Sequence, residues 1–163
     1  MTAAGGGSDP QRVVSFDAMK PLPAETPDLL GRAAGIADLL AADPRVQLVF
    51  VFGSALDLGG ATPRDLDIAV VANPPLSLDE LVRLRAEVRL ATATPIDLVS
   101  LDDAPIVLAH EIVKNGRCLF SRDPAVETDV VTRTHARYWD FEPYRREQWR
   151  LAGLRLQERL GGS

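Results

Sequence analysis

The stretch Val49 to Val71, VFVFGSALDLGGATPRDLDIAVV, is what most constrains the fold of this chain. VQLVFVF, Val46 to Phe52, is a short β-branched and aromatic run of the kind that forms a buried strand, and Leu66 to Val71 reads as its neighbour. Between them Gly53-Ser54 ends the first run, and the second opens with Asp65 and Asp67, carboxylates where apolar residues are expected.

The flanking punctuation gives the order of the other elements. Thr26-Pro27 supplies an N-cap and a proline at the first helical position, and Leu29, Ala33, Ile36, Ala37 and Leu40 follow at helical spacing until Asp43-Pro44. After Asn73-Pro74-Pro75, Ser77-Leu78-Asp79-Glu80 has the capping-box pattern, which predicts an amphipathic helix to about Leu90 with its arginines outward. Pro95 precedes a third strand, Ile96 to Ser100. Asp103-Ala104-Pro105 opens a further helix that Asn115-Gly116 closes, and Arg117 to Phe120 reads as a short edge strand. From Pro124 to about Leu160 the pattern is helical, with a kink or restart expected at Pro143, capped by Glu142 or Asp140. These elements predict an α/β (α+β) domain, a small sheet flanked by helices with a C-terminal helical tail. Its expected divisions are a disordered leader over residues 1–26, rich in Gly, Ala and Pro, a core over 27–123 and a helical extension over 124–163.

Composition excludes more than it selects. At 163 residues the chain has room for one well-cored domain, and its net charge of −5 argues against a dedicated nucleic-acid binder. The single cysteine, Cys118, rules out an internal disulfide and a multi-cysteine zinc site, and reads as a small buried residue. No apolar run reaches the length of a membrane span and no secretory signal opens the chain, so the cytoplasm is the expected compartment.

Residues two apart on a strand share a face, so Asp65 and Asp67 would stand side by side while Leu66 and Ile68 enter the core. Like charges so placed repel unless a cation lies between them, and oxygen-only ligation suits Mg²⁺ or Mn²⁺. The plain alternative is two solvated aspartates at the start of a strand. Asp97 is another carboxylate in an apolar strand, PIDLVS, which a neighbouring strand could bring beside the pair; alternatively it is an edge or capping residue. Three carboxylates from two strands would hold two ions about 3.5–4 Å apart, the arrangement that clamps attacking and leaving oxygens in phosphoryl chemistry. Gly53 permits close backbone approach, and Ser54 with exposed N–H groups could hold phosphate oxygens, although a Gly-Ser pair alone is more often a plain turn. Gly59-Gly60-Ala61-Thr62 lacks the lysine and the spacing of a P-loop.

Gly-Ser, then Asp-x-Asp, then a third aspartate on a later strand resembles the minimal nucleotidyltransferase (MNT) family of the DNA polymerase β-like nucleotidyltransferase superfamily, over roughly Leu29 to Asp123. The family's Gly-Ser falls on Gly53 and Ser54, its Asp-x-Asp on Asp65-Leu66-Asp67 and its third carboxylate on Asp97. Where a glycine commonly stands four residues past the serine this chain has Leu58, with Gly59 next, and where a serine often precedes Asp-x-Asp it has Arg64. The resemblance implies a polymerase β-like fold with a small mixed sheet. It implies two Mg²⁺ ions at Asp65, Asp67 and Asp97, a nucleoside triphosphate, expected to be ATP, held at Gly53 and Ser54, and an acceptor hydroxyl that attacks the α-phosphorus with the help of Asp97. It further implies the antitoxin of a HEPN/MNT toxin–antitoxin pair, transferring AMP to a tyrosine of the HEPN ribonuclease toxin. Two other readings stand beside this one: neutralisation of a partner by contact alone, and a small-molecule nucleotidyltransferase of the antibiotic-modifying kind whose acceptor pocket needs a dimer.

Outside those motifs, His110 and Glu111 are expected to serve a surface or interface, with His135 in the arginine-rich tail. Lys20 and Lys114 are the only lysines, which makes arginine, Arg64 first, the candidate for neutralising phosphate near the loop. The tail gathers Tyr138, Trp139, Phe141, Tyr144 and Trp149 with Arg133, Arg137, Arg145, Arg146 and Arg150. It either packs on its own domain or forms an interface, since aromatics and arginine dominate interface energetics. Direct nucleic-acid binding is not expected, for want of any recognised binding motif.

Overall fold

The structure, a computed structural model, describes residues 27–56 and 65–161. The leader, with Lys20 and the Thr26 cap, and loop residues 57–64, with Leu58, Gly59 and Arg64, lie outside the described residues.

The elements follow the expected order: α1 (Pro27–Ala41), β1 (Val46–Phe52), a single 3₁₀ turn (Gly53–Leu56), β2 (Leu66–Ala72), α2 (Leu78–Thr92), β3 (Ile96–Ser100), α3 (Ile106–Asn115), β4 (Arg117–Ser121) and α4 (Pro124–Gly161). The strands form one sheet in the order β3-β2-β1-β4. β1 runs antiparallel to both β2 and β4, while β2 and β3 are parallel, joined by the α2 crossover. The sheet is therefore mixed, with β4 on one edge as expected.

Helices on both faces explain why β1 and β2 read as unbroken apolar runs rather than alternating ones. Val49, Val51, Ile68, Val70 and Leu98 pack with Ile36 and Leu40 of α1 and Leu81 and Val88 of α2. On the opposite face Leu48, Phe50, Ala69 and Val71 pack with Ala109, Ile112 and Val113 of α3 and Val130 of α4. Asp67 and Asp97 share the alternation of this second face, one position before Ile68 and Leu98.

Arginines tie the corners. Arg45 is held by Asp43 through Nη2 at 2.9 Å and by Glu80 of α2 through Nη1 at 2.8 Å. Arg122, just past β4, donates from Nε to the Val46 carbonyl and from Nη2 to the Ala41 carbonyl, both at 2.9 Å, and so satisfies the free end of α1. Gly116 brings α3 back to β1: a Cβ there would collide with the Ile112 carbonyl and crowd that of Val51.

Asp103-Ala104-Pro105 opens α3 as expected, with Pro105 at its N-cap. Two expectations are revised. α4 is one helix through Pro143, with no second start. The Glu142 carboxylate is engaged by Arg145 and Arg146 on the same helix surface rather than capping a new one, and these i,i+3 and i,i+4 pairs bridge the turn that the proline weakens. His110 is buried, not exposed: its ring stacks on Tyr138 of α4 at 3.7 Å and meets His135 edge-on at 5.0 Å. Glu111, one position on, is exposed and accepts from Asn115. The tail divides between its two readings, for Val130 and Thr134 are buried against the domain while Trp139, Tyr144 and Trp149 stand exposed.

The capping box of α2 forms as read. Ser77 Oγ accepts from the Glu80 N–H at 3.3 Å and Glu80 Oε2 accepts from the Ser77 N–H at 2.8 Å. Ser77→Ala should lower stability by about 1 kcal/mol in denaturant titration. The Ser77 backbone N–H, then Arg45, hold the Glu80 carboxyl at about 2, below the 4.5 of a free glutamate. A carboxylate lowered on folding stabilises above its unfolded value and loses that effect as pH falls through the folded one. Glu80→Gln should therefore melt below wild type at neutral pH, with the gap closing between pH 4.5 and 2.

Candidate active site

The site lies where β1 ends and β2 and β3 begin. Phe52, the last residue of β1, pairs with Asp67, and Asp67 in turn pairs with Asp97 in the parallel register. Sheet pairing thus brings the Asp-x-Asp and the third aspartate of PIDLVS onto adjacent strands. Asp65 precedes β2 at an exposed bend, and the backbone behind it is fixed by the Leu66 N–H bonded to the Pro95 carbonyl at 3.0 Å.

Gly53 turns the chain out of β1 with φ +70°, a left-handed conformation that disfavours any side chain. A Cβ at that position would run into Oδ2 of Asp67. Glycine is required here both by its backbone angle and because the carboxylate fills the space. Ser54, next in the 3₁₀ turn, is exposed along with Gly53, so its hydroxyl and the turn's backbone are open to a ligand.

The carboxylates strain one another. Asp67 is half-buried, and its carboxyl is pushed above the ordinary aspartate range first by burial, then by the charges of Asp65 and Asp97. Asp97 is exposed and its Oδ1 meets Arg85 Nη1 of α2 at 3.3 Å. The pattern along the chain gave no signal for Arg85, one of several outward arginines on α2; only the β2-α2-β3 crossover places it there.

Among the described residues, no three carboxylate, histidine or cysteine side chains converge closely enough to make a ready metal cluster. The donor set nevertheless fits a hard divalent cation: all oxygen, mutually repelling, with one carboxylate seated in a cradle that a single Cβ would fill. Among the described residues, a softer metal finds no cluster of ligands there. Burial pushes the Cys118 thiol up to about 12, and burial, with the neighbouring His135, lowers His110 within the α3–α4 seam.

An edge of carboxylates beside a glycine-serine turn, on a mixed sheet between helices, defines a nucleotidyltransferase domain. Residues 35–125, more than half of the chain, match the family described as Polymerase beta, Nucleotidyltransferase, and the chain belongs to that family. The chain is 35% identical over 79 residues to the Protein adenylyltransferase MntA of Shewanella oneidensis, an alignment that takes in 47% of this chain and 55% of that relative's length. A solved toxin–antitoxin structure with AMP-PNP superposes with TM-score 0.65 at 26% identity, covering 74% of this chain and 97% of that one. A structure of the tri-AMPylated Shewanella oneidensis HEPN toxin in complex with MNT antitoxin gives TM-score 0.63 at 25% identity, over 74% and 95%. No helix among the described residues is long and apolar enough to cross a membrane.

Two measurements test the geometry. Gly53→Ala should lose about 1–2 kcal/mol from backbone conformation alone and more from the displaced Asp67 carboxylate, read in denaturant titration. A carboxyl raised on folding favours the native state below its unfolded value and ceases to do so as pH rises through the folded one. In EDTA at pH 7, Asp67→Asn should therefore melt above wild type, with the difference narrowing as pH falls through the carboxylate range.

Proposed function

We propose that this chain is a Mg²⁺-dependent nucleotidyltransferase that moves AMP from ATP to a protein hydroxyl. In this reading it is the antitoxin of a pair whose toxin is a HEPN-type protein from a neighbouring gene. The observation that carries the reading is Gly53 packed against Asp67, with Asp65 and Asp97 bearing on the same carboxylate, inside a nucleotidyltransferase family domain. The likeness to a protein adenylyltransferase and to structures of an AMPylated HEPN toxin supports the protein acceptor.

Each residue then has a part. Asp65, Asp67 and Asp97 are the ligands for two Mg²⁺ ions, with Mn²⁺ as a substitute, and Gly53 and Ser54 hold the outer phosphates of ATP through backbone N–H groups and the hydroxyl. Bound there, the cations supply neutralisation of triphosphate charge and of the departing pyrophosphate. Asp97 takes the proton of the acceptor hydroxyl, whose oxygen forms the new bond to the α-phosphorus as the bond to pyrophosphate breaks. Holding both partners in line provides much of the acceleration. The cytoplasm is the proposed compartment, in keeping with a lone cysteine and the need for ATP.

The test is intact-mass analysis of the neighbouring-gene protein after incubation with this chain, ATP and Mg²⁺, with Asp65→Asn/Asp67→Asn in parallel. Adducts of AMP mass are expected with wild type. They should fall by more than about a hundredfold in the double variant, because even residues one step behind metal ligands are worth ten- to a hundredfold. A toxin silenced equally by both forms without any change in mass would replace catalysis with contact neutralisation.

A further inference from the structure

Among the described residues, the cation that meets one of the three candidate ligands is Arg85, and it is taken up with Asp97. Its Nη1 lies 3.3 Å from Asp97 Oδ1, with the two side chains 47% and 59% exposed. The pair joins α2 to β3 next to the register position that sets Asp97 beside Asp67. Without a cation, three carboxylates at one sheet edge repel, and a guanidinium on the third is the protein's own means of relieving that repulsion.

We propose that Arg85 is a positioning residue that holds Asp97 in the metal-free protein and competes with divalent cation for that carboxylate, thereby setting how readily the site loads. This rests on the reading of Asp65, Asp67 and Asp97 as metal ligands. A carboxylate oxygen engaged by a guanidinium must give up that contact before it turns fully to a metal ion, so whatever the ion pair contributes is subtracted from the affinity for metal. Because both side chains are about half exposed, the pair is weak, and the subtraction is small enough to be reversed readily. The same exposure makes it sensitive to salt. After release the guanidinium keeps its charge and stays beside the site, at the edge where the triphosphate is expected.

The experiment is a Mn²⁺ titration of the full chain, followed by the electron paramagnetic resonance signal of free Mn²⁺, which reads binding without any turnover. Wild type is compared with Arg85→Gln, with Arg83→Gln as a control that removes an exposed positive charge from the same helix, and with Asp97→Asn alone and combined with Arg85→Gln. Arg85→Gln should bind Mn²⁺ roughly two- to fivefold more tightly than wild type. The gain should exceed that of Arg83→Gln, shrink at high salt, and vanish in the Asp97→Asn background. Equal affinities for Arg85→Gln and Arg83→Gln, or weaker binding by Arg85→Gln, overturn the competition while leaving the metal site in place. Mn²⁺ binding that is absent from wild type, or unchanged in Asp65→Asn/Asp67→Asn, overturns the metal reading itself and the proposal with it.

Discussion

The contact between Gly53 and the Asp67 carboxylate is the point on which the rest of the site depends. The 3₁₀ turn leaves β1 where Phe52 is still paired with Asp67, so the turn's backbone and the carboxylate are placed by one antiparallel ladder. Any side chain at residue 53 would separate them. The closeness that a phosphate-binding turn and its counter-cation would need is thus built from main-chain pairing, which is far stiffer than placement through a mobile loop.

Holding that edge in place requires the sheet to be rigid, and its rigidity comes from burial on both faces. Val46, Leu48, Val49 and Val51 are fully buried, as are Leu66, Ile68 and Ala69, within 1%. Two apolar layers fix the strand register, because a slip of one residue would turn Asp67 toward α1 and α2 and bring Ile68 to the site. The register that buries the core is the one that exposes the carboxylates, so stability and site geometry are set by the same pairing.

Much of this could be read from the chain. Strands and helices were legible because Pro, Gly and the Ser77 capping box mark their ends, and the candidate carboxylates were legible because Asp65, Asp67 and Asp97 are charges in apolar runs, of which Asp67 and Asp97 become register partners. What failed to show was tertiary. Pro143 signals a break in any local reading, yet α4 runs through it, with Glu142 pairing to Arg145 and Arg146 across that turn. His110 looks like a surface residue until α4 lies down and puts Tyr138 over its ring. Arg83, Arg85 and Arg89 are all exposed arginines of α2, and the crossover to β3 is what brings Arg85 to Asp97. Local chemistry identified which residues carry charge, whereas the partners that manage that charge come from folding.

That division has a thermodynamic consequence. A carboxylate raised by burial and by like-charged neighbours makes the protein less stable than it would be with a neutral group there, and a cation bound there, as proposed, would return that penalty. Under that proposal the electrostatic strain at the strand ends would act as stored affinity, tolerated because two apolar layers hold the strands. A softer sheet would relax the carboxylates apart, relieving the strain and weakening the affinity together. The apolar layers that fix the strands and the carboxylates at their ends are thus tied to one strand register.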